Sequence, residues 1–437
     1  MISRLPQPPE RCRLMRATPP LLAWLALLAC GLLASCAPRS GPGVVLKFWA
    51  MGREGEVVTA LIPEFERTHP GVRVEVQQLP WTAAHEKMLT AFAGDVMPDI
   101  FQLGNTWVPE FAALGALLPL DAQVAASQLV KEADYFPGIW DTNIVDGTLW
   151  GTPWYVETRV MFYRRDLLAR AGYPKPPRDW AEWMKAMNAI KRMVGPDNYA
   201  ILLPSDEFEP LLALALQNDE PLLRDGGRHG NFRSAGFRRS LQLYVDMYAQ
   251  KLAPMNRTTN VYHEFGKGYV SFFISGPWNI GEFKRRLPAH QQDQWMTAIL
   301  PGPSGPAASI AGGSSLVLSA ASKHPREAWQ LIEYLSRTDT AARFMELTGD
   351  LPPRRSNWST ARLANDVYAD AFRQQLERVR PAPKVPEWER IATEMRLVAE
   401  RVTHNELTVD QAVVELDAKA DQILEKRRWM LARKEGR

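Results

Sequence analysis

The sequence predicts an α/β fold, and three observations predict it. From Val44 to Leu103 the apolar pattern runs strand, helix, strand, helix, strand, an order that sets parallel strands side by side with helices crossing over them. The chain has 437 residues, 46% of them hydrophobic, so it can bury sizeable cores, and its length favours two or three domains. No internal repeat or low-complexity tract interrupts the pattern, which sets repeat architectures aside.

Ahead of the first strand, Arg11, Arg13 and Arg16 precede an apolar run from Leu21 to Leu33. The run is shorter than the ~20 residues of a membrane span and fits the apolar region of a secretory signal. It ends in Leu33-Ala34-Ser35-Cys36, which resembles the lipobox of bacterial lipoproteins, whose Cys is lipidated and becomes the new N-terminus. The resemblance implies a signal peptide over residues 1–35, lipidation at Cys36 and a Pro- and Gly-bearing tether over 36–43. Acyl chains anchor firmly because each buried methylene contributes ~0.8 kcal/mol. Cys12, Cys30 and Cys36 are the three cysteines. Processing would leave at most one, so neither an internal disulfide nor a cysteine metal site is expected.

The body then reads as follows. Val44 to Trp49 is a short apolar run with β-branched residues, a buried strand. Gly52 to Gly55 is a turn, and Val57, Val58, Leu61, Ile62 and Phe65 share a helix face up to the breaker His69-Pro70-Gly71. Val72 to Val76 alternates strictly, the period of a half-buried strand. Trp81 to Gly94 is helical and Pro98 to Leu103 is a third strand. Thr148 to Pro153 and Val160 to Tyr163 read as strands near a crossover. Helices are expected over Asp179 to Met193 and, largely, Leu211 to Ala253. Strands are expected at Tyr269 to Ile274 and Ser315 to Ser319. Long helices follow over Pro325 to Thr348 and Glu387 to Arg427.

Composition narrows the function. With 52 basic and 49 acidic residues the net charge is +3, too balanced to argue for nucleic acid. Fifteen tryptophans is a high number. Most will pack in cores, but indole faces also stack on the C–H faces of sugar rings. No phosphate-cradling GxxxxGK[ST] loop is present, so the chain is not an ATPase of that type. No second apolar run is long enough to form a permease span.

A string of landmarks carries a family resemblance: Phe48-Trp49, Pro63-Glu64-Phe65-Glu66, His69-Pro70-Gly71-Val72, Met97-Pro98-Asp99-Ile100 and Leu114-Gly115-Ala116-Leu117. Pro119-Leu120-Asp121, Gly151-Thr152-Pro153, Phe162 to Leu167, Ala171-Gly172, Ser275-Gly276-Pro277-Trp278, Gly312-Gly313-Ser314 and Leu351-Pro352-Pro353-Arg354 complete it. In this order the chain resembles the sugar-binding class of ABC-importer solute-binding proteins, the group of maltose- and trehalose-binding proteins. The resemblance implies a periplasmic-binding-protein-like fold, two α/β lobes with mixed sheets joined by hinge segments. It implies an N-terminal lobe over 44–153, a C-terminal lobe over 154–310, a return to the first lobe over 311–350, and C-terminal helices over 351–437. The ligand would lie in the cleft and the lobes would close on it by hinge bending. The cargo is handed over unchanged, so no catalytic residue, cofactor or metal is expected. The implied partners are the sugar, the permease and, through it, the ATPase. The implied setting is the periplasm or cell surface, as a lipid-anchored monomer.

Sugar recognition needs flat rings and planar polar groups that pair with adjacent hydroxyls. Candidates are sought in loops after strands. Arg53 and Glu54 follow the first strand, against the alternative of a solvated turn. Trp81 is a candidate platform and Asn105 follows the third strand, with Trp107 near it. Tyr155 and Glu157 share a face if extended. The resemblance implies an aromatic and an acid that touch the sugar at these two positions. Glu207 and Glu209 are weaker candidates. Trp278 resembles the family's main stacking aromatic. Gly313 and Ser314 offer backbone N–H groups at a tight turn. Arg354 or Arg355 offers a fork to two hydroxyls, unless each caps a helix or pairs with acids. Two other readings are carried. A glycoside hydrolase would need two facing carboxylates. A binder of glycerol-3-phosphate or another cargo would need basic groups, for which Arg53, Arg159 and Arg354 are available.

Overall fold

Alternation sets the first strand. In β1 (Val44–Met51) the side chains of Leu46, Phe48 and Ala50 point one way and are fully buried, as the two-residue period requires. The other strands of the two main sheets are β2 (Val72–Leu79), β3 (Ile100–Gly104), β4 (Thr152–Glu157), β5 (Val160–Arg164), β6 (Ile201–Leu202), β7 (Phe272–Ser275), β8 (Trp295–Ala298) and β9 (Gly312–Leu318). This computed structural model describes residues 43–255 and 260–435. The signal, lipidation and tether readings on residues 1–42, Cys36 included, lie outside the described residues.

The first sheet has the order β2-β1-β3-β9-β4. β2 and β3 run parallel to β1, while β9 is antiparallel to β3 and β4. The second sheet has the order β8-β5-β7-β6, with β5 antiparallel to β7 and β8 and β7 parallel to β6. Both sheets are therefore mixed. Each has its own apolar core. Phe48, Ile100 and Leu316 of the first sheet meet Phe65 and Trp329 from covering helices. Phe272 of the second meets Trp183, Met247 and Trp388. Each such fully buried side chain contributes roughly 1.5–3 kcal/mol.

The chain passes between the sheets at three places. It leaves the first at Glu157 and enters the second at Val160, and it returns through Ile310–Gly312 into β9. A third passage follows Leu351, whose carbonyl accepts from the Val156 amide at 2.8 Å. Beyond it Trp358 packs on Phe136 and Phe372 on Phe162. These passages hold Glu157–Arg159 and Ile310–Gly313 between the two cores.

Four stretches differ from the sequence reading. Gly52 to Gly55 is not a turn but part of the helix Gly52–Val58, and a second helix begins at Ile62 with Pro63 in its first turn. The expected helix over Leu211 to Ala253 is two, Glu209–Ala215 and Ala235–Ala249, separated by a hairpin whose turn holds Asp225, Gly226 and Gly227 at positive φ. The helix expected over Pro325 to Thr348 divides into Pro325–Leu335 and Thr338–Thr348. The long C-terminal helix is three: Trp388–Thr403, Val409–Ile423 and Glu425–Glu435. Asn405 at φ 62 ends the first, and a Thr408–Gln411 capping box starts the second; such a box satisfies two orphan donors at once.

Candidate functional site

A cavity of about 310 Å³ lies where strand ends and crossing segments converge. Its volume is at the small end of the ~300–1,000 Å³ usual for ligand pockets. Asn105 enters it from the end of β3, Tyr155 and Glu157 from β4, Arg159 from the first crossing and Trp278 from the turn after β7. Carboxyl ends of strands are where open α/β sheets collect ligands. Trp81, Trp107 and Phe208 add rings to the wall.

Two glycines shape this wall. Gly313 has φ +123, and a Cβ there would stand 2.3 Å from the Tyr155 carbonyl oxygen; the β4–β9 register slips just beyond it, between Ser314 and Ser315. At Gly276 a Cβ would stand 1.9 Å from the indole of Trp278. The missing side chain lets that ring fold back over the turn.

Arg159 is the electrostatic centre. Its guanidinium lies 2.9 Å from Glu157, 3.5 Å from Glu209 and 3.8 Å from Glu207. It also lies over the Trp278 ring at 5.0 Å, a cation–π geometry, and so covers one face of that indole. Burial works against the Arg159 charge, but the three glutamates outweigh it and raise its pKa. Burial also raises the Glu157 carboxyl above its ordinary range; Arg159 opposes the rise, and Glu209 and Glu207 add to it.

The rest of the wall is held by short-range bonds. The Tyr155 hydroxyl accepts from Gln102 Nε2 at 3.3 Å and Ser314 Oγ at 3.1 Å, while Gln102 Oε1 accepts from the Met51 amide at 2.7 Å. Asn105 Oδ1 accepts from Ser315 at 3.1 Å, which aims its amide group. Asn105 Nδ2, Thr158 Oγ1 and Arg159 Nε are buried without a hydrogen-bond partner among the described residues. Behind the wall Trp81 Nε1 donates to Glu54 at 3.4 Å. Burial raises the Glu54 carboxyl, and burial with the Glu54 charge pushes Asp350 up to about 8.

Of the residues singled out in the sequence, the structure brings Trp81, Asn105, Tyr155, Glu157, Trp278 and Gly313 to one cavity, together with Trp107 and Glu209. Glu54 and Ser314 support the wall from behind. Arg53, Arg354 and Arg355 do not line it. Arg53 is exposed and pairs with Glu56 at 3.1 Å. Arg354 is engaged by Asp134 at 2.7 Å and by the Ser336 carbonyl. Arg355 pairs with Glu377 at 2.6 Å. These placements correct the expectation that one of the last two forks into the cleft: the acids nearest to them are protein acids. Sequence reasoning missed Glu389, in the first turn of Trp388–Thr403, and considered Arg159 only as a phosphate partner. Arg159 stands two residues after Glu157, and that spacing in an extended segment puts both on one side, a signal that could have found it. Among the described residues no group of three or more His, Cys, Asp or Glu could hold a metal ion, and no helix is long and apolar enough to cross a membrane.

Two mixed sheets with a polar, ring-lined cavity at their crossing segments define a two-lobed binding protein. The chain belongs to the bacterial extracellular solute-binding protein family, whose model matches residues 51–342, and its fold is periplasmic-binding-protein-like. This is a class of binding proteins and not of enzymes. The chain is similar to the sugar-binding protein MalE of Xanthomonas citri, at 56% identity, a TM-score of 0.87, and 89% of this chain against 99% of that one. It is 25% identical to the diacetylchitobiose binding protein DasA of Streptomyces coelicolor, over 79% of this chain and 81% of the relative. It is 26% identical to a lipoprotein of Streptomyces antibioticus, over 83% and 84% respectively.

Proposed function

We propose that this chain captures an α-linked disaccharide such as maltose or trehalose outside the cytoplasmic membrane and delivers it to the permease of an ABC importer. One observation carries the reading. Asn105 and Arg159, each holding a buried donor that finds no partner among the described residues, line the same cavity as the rings of Trp278 and Tyr155. A buried donor left unpaired costs ~1–3 kcal/mol, and a sugar hydroxyl accepts from it while the pyranose face covers an indole. The sugar-binding relative from Xanthomonas citri supports the same class of cargo.

The lining charges oppose the other cargo class. Glu157, Glu209 and Glu389 stand against Arg159 alone, and a phosphate such as that of glycerol-3-phosphate would meet net repulsion there. Cys36 as a lipid anchor, a monomeric state, lobe exchanges near residues 153, 310 and 350, and an ATPase behind the permease complete the proposal. The lipoprotein relative supports the anchor.

Titration calorimetry of the body from Val44 onward against maltose, trehalose, diacetylchitobiose and glycerol-3-phosphate tests the cargo. The expected result is saturable binding of an α-linked disaccharide and none of the phosphate. Tight binding of glycerol-3-phosphate with no heat from either α-linked sugar would overturn it.

A further inference from the structure

Two tryptophans rank among the exposed large apolar side chains of the described residues, Trp81 at 38% and Trp429 at 57%. Trp81 lines the sugar cavity. Trp429 lies far from it in sequence, on the helix Glu425–Glu435, beside Met430, itself 45% exposed. Nothing in the sugar-binding reading uses this pair.

The helix holds Lys426, Arg427, Arg428, Arg433 and Lys434 against Glu425 and Glu435. Neighbours three and four apart share a helix face. Lys426, Trp429, Met430, Arg433 and Lys434 therefore form one face, and all five are exposed. One acid borders it: Glu425, four residues before Trp429, is exposed at its N-terminal edge. Glu435 turns away to pair with Arg228. The opposite face docks the helix: Arg428 donates to the Arg228 carbonyl at 3.0 Å, and Arg427 and Leu431 are half-buried. Arg433 lies 4.6 Å over the Trp429 ring. Neither Lys426, Arg433 nor Lys434 forms an ion pair with a carboxylate among the described residues.

We propose that this face rests on an anionic phospholipid surface. Trp429 and Met430 enter the headgroup zone, and Lys426, Arg433 and Lys434 meet lipid phosphates. Charge complementarity selects the occupant, since three cations flank two apolar side chains and outnumber the single bordering carboxylate, Glu425. An indole prefers the membrane–water interface because one end is apolar and the other polar, and each surface cation adds to attraction by anionic lipid. The binding is independent of sugar, since none of these residues lines the cavity.

The body from Val44 onward, which forms a compact unit by itself, is pelleted with vesicles of phosphatidylcholine containing phosphatidylglycerol and with phosphatidylcholine alone. The expected result is pelleting with the anionic vesicles only, weakening as salt rises. The variant K426E/R433E/K434E is expected to bind about a hundredfold more weakly, and W429A/M430A to lose part of the binding. Both should keep the parent's sugar affinity and melting temperature, which separates loss of the surface from loss of the fold. Equal pelleting with both lipids, or parent-like pelleting of the charge-reversed variant, overturns the proposal. So does capture of the parent, and not the variant, by purified permease in neutral lipid discs without any binding to anionic vesicles; the face would then belong to a protein partner.

Discussion

Arg159 and Arg354 are both shielded guanidiniums on segments where the chain passes between sheets, and their surroundings differ in one respect. Arg354 has its needs met by the protein: Asp134 takes Nε at 2.7 Å, the Ser336 carbonyl takes Nη1, and Ser356 bonds the same carboxylate. Arg159 is surrounded by three glutamates, yet its Nε has no hydrogen-bond partner among the described residues and its guanidinium lies over an indole. A saturated, half-buried cation is a brace. One with a donor left over, on a residue that lines a cavity, is poised for a guest. The distinction depends on which acids fold next to each arginine, not on the arginine's sequence context.

The largest effect should fall on the brace. Arg354→Ala leaves the half-buried Asp134 with Ser356 alone and removes two charged hydrogen bonds, each worth ~1.5–3 kcal/mol. Urea melts should show that loss, while sugar affinity of the folded fraction stays at the parent's value; an affinity loss instead would end the contrast. Arg159→Ala should do the reverse. Charged hydrogen bonds are worth ~1.5–3 kcal/mol, so calorimetry should find affinity down about tenfold to a hundredfold, with a smaller shift in the urea midpoint than Arg354→Ala produces. Trp278→Ala removes the ring beneath that guanidinium, and affinity should fall by ~1–3 kcal/mol, as at a stacking hot spot. Unchanged heats would remove Trp278 from the site. Asn105→Ala withdraws one neutral donor and should cost about 1 kcal/mol of binding.

The smallest effect belongs to another group whose partner the protein supplies. His85 bonds Glu110 at 2.7 Å and packs beside Trp107. The Glu110 hydrogen bond raises the imidazole above its ordinary value. A raised basic group stabilises the fold fully below the unfolded pKa of ~6.5 and loses that contribution as pH rises through the raised value. The pair is partly exposed, so it is worth at most ~1 kcal/mol. His85→Gln should therefore lower the melting temperature more at pH 5.5 than at pH 9. An equal drop at both would mean that packing alone is involved.

Local pattern carries much of the fold and some of the site. β1, β2 and β3 are legible because each is short, alternating or apolar and bounded by turn residues. Trp278, Tyr155, Glu157 and Asn105 are legible as polar or aromatic residues at strand ends, where α/β sheets open. Glu389 is not. It sits in a long amphipathic segment with many exposed acids, and only the packing of Trp388 against the second core aims that first turn at the cavity. The breaks at Asn405 and at Asp225–Gly227 also escaped, because periodicity continues across a short turn when both flanking elements are helical or polar.

Gly276 has a consequence for how this receptor can fail. The ring of Trp278 occupies the space that any side chain at 276 would need. A single added methyl would evict the indole, and with Trp278 on the cavity wall a ring pushed forward would enter the pocket. The result would be a molecule with intact sheets and intact cores that carries its own plug, folded yet deaf to its cargo.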